Sequence, residues 1–213
     1  MSYYMDCPWV SDSDLDLLLA DGWRHFGSYF FRDTESWYEH RLVHIIPLRI
    51  RLADFRPSKS QEKIIKKNKE VRVVVQPAEI TSEKETLFER HKVRFKDNVP
   101  ASLYNFLSEN PAEAPTRVKE ICLYQEEQLF AVSFFDVGAT ALSSIYAMFD
   151  PAYSALSPGI FTLLQEIEYG LQQQKQYLYL GYAYDASSFY DYKKGFTATE
   201  YYDWHGQWLP FVL

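Results

Sequence analysis

Two cysteines in 213 residues, Cys7 and Cys122, are too few for a disulfide framework. With no CxxC pair, they also cannot complete a Cys-rich tetrahedral zinc site. Each reads as a small buried hydrophobe. Glycine is scarce as well, at eight residues, and no glycine-rich loop of the kind that wraps a pyrophosphate at a helix N-terminus is present. LSPGIF, residues 156–161, offers one glycine at a helix start, so acetyl-CoA is not the expected cofactor and none other is implied. No apolar run approaches the roughly 18 residues of a membrane helix. The N-terminal MSYYMDCPWVSDSD is acidic and lacks a signal-peptide core. A cytoplasmic protein without a membrane partner is expected. No Ser/His/Asp set reads as a triad, and His25, His91 and His205 show no spacing that links them.

What is present is a globular composition, 47% hydrophobic and 24% charged, in a chain long enough to bury a real core. Aromatics reach 17%, which suits a β-rich core and surfaces that stack on rings. The net charge of -7 excludes wholesale coating of nucleic acid, so any such contact is local. One segment is built for it. From Arg56 to Arg72 seven basic residues stand against two acidic ones, Glu62 and Glu70. A cationic block in an acidic protein is what a phosphate-binding face requires, although a charge run is also what a solvated helix face looks like.

Along the chain, Ser11–Asp14 followed by LDLLLAD and Gly22 predicts a short capped helix. Residues 23–32 and 41–52 alternate as strands around an acidic, aromatic loop, DTESWYEH. Ser60–Asn68 predicts a helix with Ile64 and Ile65 inward and its lysines outward; residues 71–77 form a strand stopped by Pro77. Helices are expected from Ser82 to about Lys96 and from Pro100 to Glu109. A loop with two prolines, 111–116, is the best boundary between a smaller α+β N-terminal lobe, 1–110, and a second unit, 117–213. In that second unit three strands (117–125, 128–138 and 141–151) precede a helix opened by Ser157-Pro158. Ile160, Leu164, Ile167 and Leu171 lie on its face. A buried strand at 177–184, a short helix at Ser187–Lys194 and a last strand near 207–212 complete the order β-β-β-α-β-α-β. The fold class expected is α+β with a GNAT-like sheet-and-helix domain (the acyl-CoA N-acyltransferase layout), and order alone is a weak warrant for function.

Several segments carry a resemblance in the right order: Cys7-Pro8-Trp9, LLADGWRHFGSYFFR and PLRIRLADFRPSKSQEKIIKKN. LSSIYAMFDP, PGIFTLLQEI, YLYLGY, YKKGF and Trp208 follow them. Together they resemble the aminoacyl-tRNA–protein transferases, the arginyl and leucyl transferases that label protein N-termini for degradation. The resemblance implies transfer of arginine or leucine from aminoacyl-tRNA to the α-amine of an acceptor protein. It puts Arg56, Lys63, Lys66, Lys67 and Asn68 in the stretch that meets tRNA phosphates. The family also carries a cysteine quartet that binds a metal or iron–sulfur cluster. Here only Cys7 matches it, and the CxxC region reads DTESWYEHRLVHII, so no metal is expected. His40 and His44 in a strand would stand about 13 Å apart at roughly 3.3 Å per residue, too far to share an ion. Other functions left open are a silent relative that binds peptide or tRNA, and a GNAT acyltransferase with an acyl-CoA donor.

Transfer from an ester needs few protein groups: the amine must be held beside the carbonyl, a proton accepted and the oxyanion stabilised. Asp185 and Tyr182, at the end of the 177–184 strand, are the catalytic candidates. Asp185 either orients or deprotonates the incoming amine at the mouth of a cleft or caps the helix near Ser187. Tyr146, Tyr179, Tyr182 and Tyr192 could line an adenosine or side-chain pocket by stacking. Asp136 and Asp150 close strands, and Glu120 and Tyr124 share a strand face.

Overall fold

A computed structural model describes residues 2–95 and 99–212. Three short strands, β1 (Ser2–Asp6), β2 (Arg24–Phe26) and β3 (Tyr29–Asp33), form a small antiparallel sheet in the order β1-β3-β2. The run expected as one strand over 23–32 is thus a hairpin, reversed at Gly27, whose φ of +53° suits a residue without a Cβ. Between β1 and β2 lies α1 (Asp12–Ala20), where the Ser11 hydroxyl accepts from the Asp14 amide and Leu15 and Leu19 are buried. β4 (Glu35–Tyr38) pairs with β5 (Arg41–Arg51), so the DTESWYEH loop contains a strand. Its acidic residues hid the period of two: alternate side chains there face solvent on an edge.

The chain continues through α2 (Lys59–Lys67), β6 (Arg72–Pro77) and α3 (Ser82–Lys92), then β7 (Val118–Gln125), β8 (Gln128–Val137) and β9 (Ala141–Phe149). α4 (Pro158–Gln172), β10 (Tyr177–Tyr184), β11 (Thr199–Tyr202) and β12 (Trp208–Pro210) complete it. Lys96, the expected end of α3, lies outside the described residues. The helix expected over 100–109 is a single 3-10 turn at Leu103–Asn105, and the one at 187–194 is a 3-10 segment, Phe189–Gly195. In both, a serine and a side chain three residues on form a capping box, giving a helical start with no continuing apolar stripe.

The main sheet has nine strands, ordered β12-β11-β5-β10-β9-β8-β7-β6 with β4 on β5. It draws strands from both sides of residues 111–116. β8 is its spine: Leu129 to Val137 are all buried, as a strand covered on both faces requires. On one face α4 packs Phe161, Leu164 and Ile167 against Leu48, Ile50, Leu123, Phe135 and Leu178. On the other, α3 packs Leu87 and Phe88 against Val132, Phe134 and Met148. Each such side chain contributes about 1.5–3 kcal/mol by leaving water. β7–β9, the crossover α4 and β10 form the GNAT-like unit.

All pairings in the sheet are antiparallel except one. β10 runs parallel to β9, and only Tyr177–Tyr179 meet Ala141–Ser143 before the two strands part. On its other side β10 slips register against β5 between Tyr179 and Gly181, and Gly181 has φ +85°. A bulge of this kind bends a strand and re-aims its side chains. The result is a wedge between β9 and β10, floored by α4.

Candidate functional site

Parting two strands leaves main-chain carbonyls without ladder partners, and a buried carbonyl must be satisfied some other way. Here a cation does so on each strand. Arg24, from β2, donates from Nη1 to Ser143 Oγ at 3.0 Å and from Nη2 to the Ser144 carbonyl on β9. Lys193, from the 3-10 segment that packs on β10, donates from Nζ to the Tyr182 carbonyl at 3.0 Å. Tyr182 stands opposite Pro47 of β5, which has no N–H to offer. Gly181 makes room for both cations: a Cβ built there would lie 3.4 Å from Arg24 Nη2 and 3.4 Å from Lys193 Nζ.

The third ionisable group is Glu166, on the sheet-facing side of α4 and fully buried. Its Oε1 accepts from Ser144 Oγ at 3.4 Å, and its Oε2 has no hydrogen-bond partner among the described residues. Burial raises the Glu166 carboxyl to about 8, outweighing the hydroxyls of Ser133 and Ser144 and the charge of Arg24. Glu166 is therefore protonated at neutrality. Lys193 is moved the other way, down to about 7, first by burial and then by the nearby Arg24. Burial also lowers Arg24, with Asp136 opposing the shift, and a guanidinium stays charged regardless. Neither cation has a carboxylate within ion-pair distance among the described residues. The wedge thus holds two basic side chains in a poorly solvated place, Lys193 titrating close to neutrality and Arg24 facing the charge of the buried Asp136.

Behind it His25, the neighbour of Arg24, binds Asp136. Its Nε2 lies 3.0 Å from Asp136 Oδ2 and its Nδ1 2.9 Å from the Gly27 carbonyl. Thr116 donates to Asp136 Oδ1 at 2.7 Å. Burial pushes the Asp136 carboxyl up, but His25 and Thr116 hold it below the ordinary range. β2, β8 and the end of the proline loop are tied together there, which fixes the strand carrying Arg24.

The sequence candidates fall elsewhere. Tyr182 spends its hydroxyl on the N-terminal hairpin: it donates to the Gly22 carbonyl at 2.8 Å and accepts from the Asp33 amide at 3.3 Å. Its burial raises its pKa further. Asp185 is exposed and bonded to one residue of β5: His44 N donates to its Oδ1 at 3.0 Å, and its own amide donates to the His44 carbonyl at 3.0 Å. The cap of the following segment is Ser188, not Asp185. Tyr146 is stacked on Phe106 at 3.9 Å, and Tyr179 packs against Trp208.

In the basic segment Lys63 and Lys66 point into solvent from α2. Lys67 donates to the Ala155 carbonyl at 2.5 Å, and Arg56 to the carbonyls of Ala53 and Phe55 at 3.2 and 2.6 Å. Asn68 is only 2% exposed and donates to the carbonyls of Ile64 and Leu156, so it holds the end of α2 and does not face outward. Ile64 packs on the core while Ile65 is exposed, and Leu171 of α4 is likewise exposed. Among the described residues no group of three or more His, Cys, Asp or Glu is arranged to hold a metal ion, and both cysteines are free. No helix there is long and apolar enough to cross a membrane.

Arg24, Lys193 and Glu166 were not singled out in the sequence. The signal for Glu166 was a carboxylate at helical spacing between Thr162 and Gly170, two small residues on the buried stripe. Arg24 and Lys193 lay inside GWRHFG and YKKGF, segments already noted for resemblance, but their burial depends on a splay that no local pattern encodes.

An α+β sheet split by a parallel pair, with a crossover helix beneath the split, is a GNAT-like fold. The structure of L-PGS from Bacillus licheniformis shares that fold at a TM-score of 0.51 and 13% identity, over 83% of this chain and 52% of that one. The profile of the arginine-tRNA-protein transferase C terminus matches residues 83–203. Aspartate/glutamate leucyltransferase of Campylobacter jejuni strain RM1221 is 26% identical over 212 residues, 93% of this chain and 82% of its own. The enzyme of the same name from Xanthomonas euvesicatoria pv. vesicatoria is 32% identical over 173 residues, 76% and 68% of the two chains. The chain belongs to the aminoacyl-tRNA–protein transferase family and is an aminoacyltransferase of that kind.

Proposed function

We propose that this protein transfers leucine from leucyl-tRNA to the α-amine of proteins that begin with aspartate or glutamate, marking them for degradation. The observation that carries the reading is the alignment with an aspartate/glutamate leucyltransferase along 93% of this chain. Chemically, the amine attacks the ester carbonyl, a C–N bond forms, the C–O bond to the ribose breaks, and the amine's proton passes to the released ribose oxygen. The donor is already activated, so the protein's work is positioning and charge stabilisation. The wedge between β9 and β10 supplies a poorly solvated, cationic place for it. Lys63 and Lys66 on α2, which packs on α4 outside the wedge, are the residues best presented to tRNA phosphates. Lys67 and Arg56 can join them only by leaving backbone carbonyls.

The test is incubation of the full chain with labelled leucyl-, arginyl- and phenylalanyl-tRNA and peptides that begin with Asp, Glu, Lys or Ala. Leucine on the Asp and Glu peptides alone supports the reading. Arginine in its place changes the donor. Tight peptide binding with no transfer from any tRNA makes the chain a silent relative, and transfer from an acyl-CoA makes it a different enzyme.

A further inference from the structure

We infer that Arg24 and Lys193 are the specificity residues that read the carboxylate of the acceptor's N-terminal side chain, seated in the wedge over Gly181. The inference rests on the function proposed above and names the site residues for it. Three observations converge. Two basic side chains meet at one point, and among the described residues neither forms an ion pair with a carboxylate; the buried Asp136, which acts on Arg24 through its charge, is already bonded to His25 and Thr116. A buried cation without a bonded counterpart is costly, and an anion arriving from outside favours the charged form of Lys193 and offsets that cost for Arg24. The position between them is occupied by a glycine in the left-handed region, where any Cβ would fill the cradle. The carboxyl on α4 beside them, Glu166, is protonated and so does not pre-empt the cations, and among the described residues its Oε2 has no hydrogen-bond partner.

Asp and Glu fit this arrangement because their carboxylate lies a short carbon chain from the α-amine. With the carboxylate held over Gly181, the amine stays at the mouth of the wedge, on the partly exposed side of Lys193, where the ester must approach. Asn and Gln have the same shape without the charge and leave both cations uncompensated, so discrimination arises from charge and not from size.

The experiment uses the full chain with leucyl-tRNA and matched peptides beginning with Asp, Asn, Glu or Gln, comparing wild type with Lys193→Met and Arg24→Lys. Lys193→Met should lower kcat/KM for the Asp and Glu peptides about 10- to 100-fold, the range for losing a hydrogen bond to a charged group. It should change transfer to the Asn and Gln peptides less than about threefold. An equal loss on all four peptides overturns the inference and makes Lys193 a structural clamp on the Tyr182 carbonyl. Arg24 is more deeply buried and its replacement risks misfolding; Lys193→Met, on a partly exposed segment, keeps the question answerable. Calorimetric titration of the Asp and Asn peptides without tRNA separates the two readings. If the wild type transfers no leucine yet binds the Asp peptide over the Asn peptide, and Lys193→Met abolishes that preference, the cation pair stands and the leucyl reading falls. If the wild type shows no preference for Asp over Asn, the cation pair falls whatever the transfer assay gives.

Discussion

Glu166→Gln is expected to change how stability varies with pH, and the sign follows from the site. The folded protein holds the Glu166 proton up to about 8, whereas the unfolded chain releases it near 4.5. Between those values the folded state binds more protons, so this group's contribution is fully present below about 4.5 and is lost as pH rises through about 8. Moving a carboxyl from 4.5 to about 8 corresponds to about 5 kcal/mol at roughly 1.36 kcal/mol per decade. The residue is fully buried, so solvent screening does not reduce the figure much. Gln keeps the shape of the protonated acid and cannot ionise. Urea unfolding of both proteins from pH 4.5 to 9 should therefore give a difference curve that rises by about 3–5 kcal/mol in the variant's favour and levels off above pH 8. Other titrating groups cancel in the difference. A flat difference curve would refute the reasoning and mean that Glu166 is ionised throughout, with a partner that the geometry does not reveal.

Reversing Lys59, Lys63 and Lys66 to Glu should weaken tRNA binding and reduce the slope of log affinity against log salt by about 2–3, while urea midpoints shift by less than about 1 kcal/mol; an unchanged salt slope makes α2 a solvated face. Asp136→Asn should cost about 3–5 kcal/mol in urea unfolding, since it leaves the buried His25 without its carboxylate, and a double mutant with His25→Gln should cost less than the two single changes summed. Ile64→Ala should cost about 1–3 kcal/mol and Ile65→Ala under about 1 kcal/mol, because only Ile64 packs on the core; equal losses would place both inside.

The elements with long, consistent patterns were legible. β7, β8 and β9 came from runs of alternating or continuous apolar residues bounded by Glu126-Glu127 and Gly138, and α4 from its Ser-Pro start. What was not legible falls into two groups. The first is short elements whose stability comes from neighbours: β1 and β4 are largely exposed and show solvent a mixture of aromatic and acidic side chains, and β11 gains its place by pairing Thr199–Tyr201 with β5. The second is the site. Its three ionisable residues come from different elements, Arg24 lying more than a hundred positions from Glu166 and Lys193, and they meet only because β10 leaves β9 at Ser143. Charge was read where it was dense, on α2, whereas in the wedge it is sparse, buried and therefore more strongly felt.

The two kinds of charge also answer to different tests. On α2 each lysine is hydrated, so its removal costs the fold little and its worth lies in the phosphates it meets and the counterions it frees. In the wedge each cation completes a broken ladder: without Arg24 the Ser144 carbonyl is unpaired, and without Lys193 the Tyr182 carbonyl is. A ladder carbonyl asks only for a donor, which a neutral amide would satisfy at lower desolvation cost. That both strands are closed by charged groups, around a glycine and beside a protonated acid, is more than the backbone requires. On the inference above, that surplus of charge over structural need is what the carboxylate of an acceptor would meet in the wedge.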